Sequence, residues 1–292
     1  MALKILCLGA GLQGLEVAGL AMKAGWDLTL VDKRRDGPAS GLCKTLKTDL
    51  AACRLYDLAA LCQGYDLIVP ALEDFGILEA FCTAQKQDLI PPLAFDMDAY
   101  RISRSKKLSK KTFAALGLPM ARDFHPSLPG PFIAKPDDLS GSRGVRYFES
   151  ALEVLKTFPD PEMRQNLIIE EHLSGPSYSL EVTASKRRTR TWQTTLLGMD
   201  DIFDCCRVSA PSGLPPEREK ELADIARRLA RAVSLRGIMD LEVIDHKNQF
   251  KLLEIDARFP SQTPTAVYWS TGVNLLVELA ACFMQLPRSV VR

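Results

Sequence analysis

The sequence predicts a chain of mixed α/β and α+β class, with a parallel sheet first and antiparallel sheets after it. Three observations support this class. Short apolar runs alternate with helical patterns over residues 1–98, a lysine interrupts an apolar run at 135, and two late strands carry acidic residues on alternate positions. Strand–helix alternation is typical of a parallel sheet with right-handed crossovers.

Composition and charge argue against several classes of protein. The 292 residues are 47% hydrophobic and 25% charged, with a net charge of +1. Such a chain is globular and has no strong field for nucleic acid or acidic membranes. The eight cysteines lack zinc-site spacing, so we expect them to be reduced in the cytoplasm. A glycine-rich turn interrupts the apolar N-terminus and no long apolar run exists, so we expect neither a signal peptide nor a spanning helix.

The first domain is predicted at residues 1–98. Its helices are expected at the two segments with helical spacing, "LQGLEVAGLAMKAG" and "FGILEAFCTAQKQ". Its strands are expected at four short apolar runs, "LKILCLGAG", "DLTLVDK", "DLIVPAL" and "PLAFD".

A linker and lid are predicted at residues 99–175. They contain a basic helix closed by Gly117 and Pro119, then a strand, a glycine-rich loop and a second strand in "PFIAKPDDLSGSRGVRYF". A short helix, "ALEVLKTF", and a strand that runs into a turn, "NLIIEEHLSG", complete this part.

The third domain is predicted at residues 176–292. Two antiparallel-type strands, "SYSLEVTAS" and "RTWQTTLLGM", precede the strongly amphipathic helix "EREKELADIARRLARAVSL". Two strands joined at "DHKNQ" follow, and a closing helix is expected at "GVNLLVELAACFMQL".

A glycine motif lies between the first strand and the first helix. Gly9, Gly11 and Gly14 form G-x-G-x-x-G, and Asp32 ends the second strand 18 residues after Gly14. This pattern lets a phosphate approach a helix N-terminus, with Asp32 on a ribose hydroxyl or an ammonium. The alternative is a tight turn that needs glycine for packing, with Asp32 a solvated strand end. Gln13 either contacts a ligand or caps the helix.

Two carboxylates follow apolar runs later in this domain. Asp49 and Glu73 stand at probable strand ends, where a ligand could meet them. The alternative is that they are ordinary loop carboxylates.

Lys135 stands inside an apolar strand and therefore must meet an anion or bear a desolvation cost. The loop at residues 140–144 is rich in glycine, whose backbone N–H groups wrap phosphates. Together they predict a nucleotide-triphosphate clamp, and the alternative is an edge lysine beside an ordinary hairpin. Further on, "EEHL" follows a strand, where backbone groups can contact an adenine edge and Leu173 can pack on the ring. It could equally be a solvated strand end.

The segment "MDLEVIDHKNQFKLLEIDAR" spans two successive strands and holds Asp240, Glu242, Glu254, Asp256 and Arg258. Antiparallel pairing would bring Glu242 close to Glu254, and two carboxylates in an apolar frame repel unless a cation lies between them. Oxygen ligands of this kind suit Mg²⁺ that bridges nucleotide phosphates. The alternative is an exposed hairpin face. Arg258 extends the same face beyond Asp256.

The order of these motifs resembles that of the ATP-grasp carboxylate–amine ligases, over nearly the whole chain. The resemblance implies an ATP-grasp fold, with an N-terminal Rossmann-like parallel-sheet domain, a small lid domain and a C-terminal α+β catalytic domain. Lys135 and Arg258 would be catalytic, with Arg258 stabilising an acyl phosphate. The magnesium ligands would be Glu242, Glu254 and Asp256. ATP would be bound by Lys106, Lys135, Ser142, Arg143, Gly144, Glu170, Glu171, His172 and Leu173.

The motifs "GLQG", "LVDK", "GPSYSLEV" and "EIDARFPSQTPTAVYWSTGVN" are similar to those of the ligases of pyrrolysine biosynthesis. These ligases join (3R)-3-methyl-D-ornithine to the ε-amine of L-lysine through an acyl phosphate. In that family the glycine turn serves a substrate and a nucleotide. The resemblance adds ATP contacts at Gly11, Asp32 and Asp49, and substrate contacts at Leu12, Gln13, Glu73, Asp240, Asp256, Ser261, Gln262 and Thr263.

The chain departs from the family pattern at two places. Gly11 stands where the family often has lysine, and Ser177 stands where related D-alanine ligases have a ribose-binding carboxylate. Glu181 is a candidate to replace that carboxylate.

The sequence therefore predicts a cytoplasmic ligase that uses ATP and Mg²⁺ on two amino acids. It predicts no nucleic-acid or membrane partner, and a homodimer is expected from the resemblance. The alternatives are another ATP-grasp amino-acid ligase, a nicotinamide-dependent oxidoreductase built on the glycine motif, and a non-catalytic nucleotide-binding regulator. The oxidoreductase leaves Lys135 and the paired glutamates unexplained.

Overall fold

The N-terminal part of the chain forms a four-stranded parallel sheet. The computed structural model describes residues 2–34 and 36–286. The strand order is β3-β2-β1-β4, with β1 at Lys4–Leu8, β2 at Asp27–Asp32, β3 at Lys44–Lys47 and β4 at Leu67–Pro70. Three helices accompany the sheet, α1 at Leu12–Ala24, α2 at Leu55–Leu61 and α3 at Phe75–Lys86. A short 3-10 turn lies at Leu50–Ala52.

The sequence is right about three of these strands and wrong about the fourth. The apolar run at 92–96 makes only a single parallel bridge, between Ile68 and Leu93. Two prolines precede Leu93, and proline cannot donate to a sheet ladder. The fourth strand is β3 instead, a short polar segment without the apolar pattern of a buried strand.

Packing requires two of the three motif glycines. Gly9 has φ +110, and a Cβ there would lie 2.4 Å from the carbonyl oxygen of Ala71. A Cβ on Gly14 would lie 2.4 Å from the carbonyl oxygen of Gly9, because α1 approaches β1 closely there. Nothing lies within 4 Å of a Cβ on Gly11. The packing alternative therefore accounts for Gly9 and Gly14.

Two antiparallel sheets follow. The three-stranded lid sheet has the order β6-β5-β7, with β5 at Phe132–Pro136, β6 at Arg146–Phe148 and β7 at Leu167–Glu171. The five-stranded sheet has the order β10-β9-β8-β11-β12, with β8 at Ser177–Ser185, β9 at Arg188–Met199, β10 at Cys205–Ser209, β11 at Gly237–His246 and β12 at Gln249–Asp256. The predicted hairpin between β11 and β12 is confirmed. Its turn residues Lys247 and Asn248 have φ of 53 and 64, the region that a two-residue hairpin turn needs.

Four helices surround these sheets. They are α4 at Met97–Ser103, α5 at Lys106–Ala115, α6 at Ala151–Thr157 and α7 at Pro216–Ala232, with a 3-10 turn at Pro161–Arg164. The basic helix α5 and the amphipathic helix α7 are as predicted, whereas α4 and β10 were not expected. The predicted domain boundaries, at 98/99 and 175/176, stay a prediction.

The C-terminal segment packs back onto the first helix. It forms two helices, α8 at Thr263–Thr271 and α9 at Leu275–Ala280, where the sequence predicts one closing helix over 272–286. Gly272, with φ +76, ends α8, and the Asn274 side chain caps α9. Val17 of α1 shares a buried cluster with Val267 and Leu276. The last six residues of the predicted third domain, 287–292, lie outside the described range. No helix in the described part of the chain is long and apolar enough to cross a lipid bilayer.

Two substitutions in α1 should change stability in opposite directions. Gly14→Ala should lower the free energy of unfolding by about 1–3 kcal/mol, since the methyl group overlaps a backbone oxygen. Gly19→Ala in the same helix should raise it by about 0.5–1 kcal/mol, because nothing lies within 4 Å of its Cβ. Urea unfolding of both variants measures the difference. Equal midpoints for the two would contradict the close approach of α1 to β1.

Candidate active site

A cavity of about 390 Å³ lies between the lid sheet and the five-stranded sheet. The glycine-rich loop after β5 and the loop between β9 and β10 both line it. It brings together ten of the residues that the sequence predicts: Lys106, Lys135, Ser142, Arg143, Glu170, Glu171, His172, Leu173, Glu242 and Glu254. Gly144 belongs to the same loop and has φ +76, which other residues rarely adopt.

Glu170 is the buried centre of a charge cluster in this cavity. Its two carboxylate oxygens lie 2.7 Å from Nζ of Lys135 and 2.5 Å from Nζ of Lys110. Burial favours a raised pKa for Glu170, but the two lysines hold its pKa below the ordinary value. Burial likewise favours a lowered pKa for Lys135, yet Glu170 and Glu254 raise it. The cluster therefore stays charged, and it fixes the Lys135 ammonium in the cavity wall.

Lys110 was not predicted from the sequence. It lies one helical turn after Lys106 in α5, so the two ammonium groups share a helix face. Lys106 Nζ donates to the carbonyl oxygen of Leu139 at 2.6 Å and lies 3.5 Å from Glu254. The i, i+4 spacing was the signal that could have identified Lys110.

The pairing of β11 with β12 places four carboxylates as two cross-strand pairs. Asp240 faces Asp256, and Glu242 faces Glu254. Burial and the neighbouring Glu254 raise the pKa of Glu242 well above its ordinary value. A divalent cation would remove this repulsion, and two carboxylates are a usual protein share for Mg²⁺, with phosphate oxygens completing the shell. Within residues 2–34 and 36–286 no three His, Cys, Asp or Glu side chains form a ligand cluster. The donors thus fit a metal held jointly with a nucleotide.

Arg258 connects this hairpin to the N-terminal domain. Its guanidinium lies 2.9 Å from Asp256 and 2.8 Å from Glu73. Burial opposes the charge of Arg258, but the surrounding carboxylates raise its pKa. Glu73 also accepts hydrogen bonds from Gln13 Nε2, at 3.0 Å, and from the hydroxyl of Ser140 in the glycine-rich loop. The Glu73 carboxylate therefore contacts helix α1, the glycine-rich loop and the segment that follows β12.

A row of buried carboxylates crosses the five-stranded sheet beside Arg258. The register places Glu181 of β8 next to Asp240 of β11, and Asp240 next to Asp256 of β12. Glu181 is 0% exposed, and neither of its oxygens has a hydrogen-bond partner among the described residues. Burial raises the pKa of Glu181 to about 7. Burial, together with repulsion from Glu181 and Glu254, also raises the pKa of Asp240 to about 7. The row is therefore an acidic surface in which both Glu181 oxygens and Asp240 Oδ1 lack partners among the described residues.

Two polar atoms of other predicted substrate-binding residues are also unsatisfied. Gln13 Oε1 and Thr263 Oγ1 are buried without a hydrogen-bond partner in the part of the chain that the structure describes. Gln262 donates to the carbonyl oxygen of Cys205 at 3.2 Å, Ser261 is half-buried, and Leu12 is 52% exposed. Ser177 lines the cavity, but Glu181 does not. Glu181 is therefore not in a position to replace the ribose-binding carboxylate that D-alanine ligases have at the position of Ser177.

Gly11, Asp32 and Asp49 lie elsewhere, since they do not line this cavity. Asp32 accepts backbone hydrogen bonds from Ala10 at 2.8 Å and Arg34 at 2.9 Å. Asp49 caps the 3-10 turn through Ala51, at 3.2 Å. Nucleotide contacts at these three residues stay a prediction that concerns a second place in the molecule.

Comparisons with known proteins agree with this geometry. A model of the ATP-grasp domain matches residues 105–262. The chain is 36% identical over 282 residues to the 3-methyl-D-ornithine–L-lysine ligase of Methanosarcina mazei, covering 96% of this chain and 72% of that relative. The N5-carboxyaminoimidazole synthetase of Staphylococcus aureus, complexed with ADP, superposes with a TM-score of 0.75 at 15% identity, over 98% of this chain and 79% of that one. The biotin carboxylase domain of Hydrogenobacter thermophilus 2-oxoglutarate carboxylase, with MgADP, gives 0.77 at 14% identity, over 99% and 72%.

Lysines opposite paired carboxylates suit a reaction in which ATP activates a carboxylate and an amine then displaces phosphate. The relatives are named as ligases that join two amino acids, and the protein is accordingly an ATP-dependent ligase that forms amide bonds. More specifically, the chain belongs to the ATP-grasp family. The oxidoreductase alternative falls away, since packing accounts for Gly9 and Gly14 and the Asp32 carboxylate is bonded to backbone.

Lys110 and its neighbour Lys111 form a matched pair for testing the Glu170 cluster. Lys110→Met should lower the free energy of unfolding by on the order of 3 kcal/mol, because it leaves the buried Glu170 with one cation. It should also raise KM for ATP, since Lys135 loses its fixed position. Lys111→Met, at an exposed site of the same helix, should change neither. Thermal unfolding and steady-state kinetics measure both quantities, and similar stability of the two variants would contradict the cluster.

The stability contribution of Glu181 should depend on pH. Its folded pKa, about 7, exceeds the unfolded value of 4.5, so the folded state binds the extra proton. Its stabilising contribution is complete below pH 4.5 and disappears as pH rises through about 7. Relative to Glu181→Gln, the wild type should therefore lose about 3 kcal/mol across this range. Urea unfolding at several pH values measures this difference, and a pH-independent difference would contradict the burial of an unpaired carboxylate.

Proposed function

We propose that the protein joins the carboxylate of 3-methyl-D-ornithine to the ε-amine of L-lysine, through an acyl phosphate formed with ATP and Mg²⁺. The observation that carries the proposal is the buried anionic row beside Arg258. A D-ornithine-type substrate has two ammonium groups and one carboxylate, which suit the row and the guanidinium respectively. The relative from Methanosarcina mazei, at 36% identity, is named for this reaction.

The nucleotide would lie in the cavity between the two antiparallel sheets. Lys106 and Lys135 would bind its phosphates from the lid side, and Glu242 and Glu254 would hold Mg²⁺ on the opposite side. Mg²⁺ would supply charge neutralisation of the phosphates during transfer. Backbone groups of residues 170–173 would meet the adenine, with Leu173 packed against the ring.

The first amino acid would lie along the carboxylate row. Asp240 and Glu181 would accept hydrogen bonds from its ammonium groups, which relieves the repulsion between the two carboxylates. Gln13 Oε1 and Thr263 Oγ1 would accept further bonds. Arg258 would orient the substrate carboxylate towards the γ-phosphate, and then stabilise the oxyanion of the tetrahedral intermediate.

The second amino acid would enter from the turn at Leu12 and Gln13, where Glu73 is within reach of its α-ammonium group. Its ε-amine must be neutral to attack, although the ordinary pKa of such a group is about 10.4. A buried carboxylate of the row would accept the proton. The contact of Ser140 with Glu73 supports closure of residues 140–147 over the site, which excludes water from the acyl phosphate.

Mass spectrometry of the product tests the proposal. Incubation with ATP, Mg²⁺, 3-methyl-D-ornithine and L-lysine should give one amide product together with ADP and phosphate. D-ornithine should serve as a slower analogue, because a missing methyl group removes about 1–3 kcal/mol of binding at most. Glu254→Gln should reduce kcat by a factor of at least about 100, since it removes one metal ligand.

Two outcomes would contradict the assignment. Absence of the amide with this pair, together with ADP release for another amino-acid pair such as D-alanine, would favour a different ATP-grasp ligase. Full activity of Glu254→Gln would favour a role for the hairpin other than metal binding. The expected homodimer and cytoplasmic location stay predictions, and sedimentation analysis tests the first of them.

A further inference from the structure

Five carboxylates line the nucleotide cavity, and four of them already have a charged partner or a paired carboxylate. Glu170, Glu171 and Glu254 lie beside basic side chains, and Glu242 faces Glu254 across the hairpin. The fifth is Asp200, which has no basic partner among the described residues. Its carboxylate is therefore the one acidic group of the cavity lining that this network leaves open to a neutral hydrogen-bond donor.

Local backbone contacts orient the Asp200 carboxylate. Asp200 is the first residue of the loop that joins β9 to β10, and this loop is closed by a hydrogen bond from its N–H to the carbonyl oxygen of Asp204, at 2.9 Å. Oδ1 accepts hydrogen bonds from the N–H groups of Ile202 and Asp204, at 3.0 and 2.9 Å. These bonds hold one oxygen and leave Oδ2 free, so the group is positioned before a ligand arrives.

Asp200 lies between the two ends of the cavity. Ser177, at the start of β8, pairs with Leu197 of β9, and Asp200 follows three residues further along that chain, within roughly 10 Å. Phe203 of the same loop lies 5.9 Å from the His172 ring, and its carbonyl oxygen accepts the Ser142 hydroxyl at 2.5 Å. The loop thus borders both the adenine side of the cavity and the lid loop.

We infer that Asp200 accepts a hydrogen bond from a ribose hydroxyl of the bound nucleotide and sets the preference for ribonucleotides over deoxyribonucleotides. This inference rests on the proposed binding of ATP in the cavity. A nucleotide with its base at residues 170–173 and its phosphates at the lysines places its sugar between them, where hydroxyl donors need an acceptor. A carboxylate accepts such bonds more strongly than a neutral oxygen. Ser177, in the position where D-alanine ligases have a carboxylate, offers only a hydroxyl.

Kinetics with deoxynucleotides test the inference. The full-length enzyme and its Asp200→Asn variant are compared with ATP, 2′-deoxy-ATP and 3′-deoxy-ATP. Asparagine keeps the Oδ1 acceptor that orders the loop and replaces Oδ2 by a donor. In the wild type, KM should be about tenfold higher for the analogue that lacks the contacted hydroxyl. Asp200→Asn should raise KM for ATP about tenfold and leave KM for that analogue unchanged.

Two control variants make the result specific. Asp204→Asn removes a charge from the same loop at a residue that does not line the cavity, and it should keep the wild-type preference. Ser177→Ala should keep the preference as well. The inference is overturned if the wild type shows no preference, if Asp200→Asn retains it, or if Ser177→Ala abolishes it. Calorimetry with the wild type separates failure of the proposed function from failure of the inference about Asp200. Absence of ATP binding by the wild type overturns the proposed function. ATP binding by the wild type, together with an unchanged sugar preference in Asp200→Asn, overturns the inference alone.

Discussion

The antiparallel register of β11 against β12 is the constraint on which the rest of the site depends. It sets Asp240 against Asp256 and Glu242 against Glu254, so four carboxylates meet on two neighbouring strands. Like charges directly opposite one another are unfavourable in a sheet. The fold tolerates them because Arg258 lies beside Asp256 and because a bound cation can neutralise the pair formed by Glu242 and Glu254. Ligand binding should therefore contribute to the stability of the folded protein.

Two buried glutamates show how the surroundings decide the charge of such a site. Glu170 lies between Lys135 and Lys110, and its pKa is lowered although burial alone would raise it. Glu181 is equally buried but has no hydrogen-bond partner within residues 2–34 and 36–286, and its pKa is raised to about 7. The first arrangement is complete without ligand and serves as a fixed part of the cavity wall. The second is incomplete, which is what a binding surface for ammonium groups requires.

Alternation and spacing in the sequence predicted the local chemistry of this site. The alternate charges of "LLEIDAR" predicted the paired hairpin, and the lone lysine in an apolar strand predicted the position of Lys135. The contacts of Glu73 with Arg258 and of Lys110 with Glu170 could not be predicted in the same way. They join residues from different elements, and the periodicity of a sequence segment does not indicate which other elements it packs against. The sequence did not predict α8, whose buried Val267 packs in one cluster with Val17 of the distant helix α1.

The charge of the row also bears on which amino acid the site accepts. Glu181, Asp240 and Asp256 are cross-strand neighbours, and the one guanidinium beside them, that of Arg258, contacts Asp256, so a substrate with a single ammonium group would leave a buried carboxylate without a partner. Leaving such a group unpaired costs more than losing an apolar contact of similar size, and sites of this kind reject the ligand that lacks the polar group. A neutral side chain such as that of alanine would also leave Gln13 Oε1 and Thr263 Oγ1 unpaired. The proposed preference for a dibasic amino acid would thus follow from buried acceptors that a second ammonium group can satisfy.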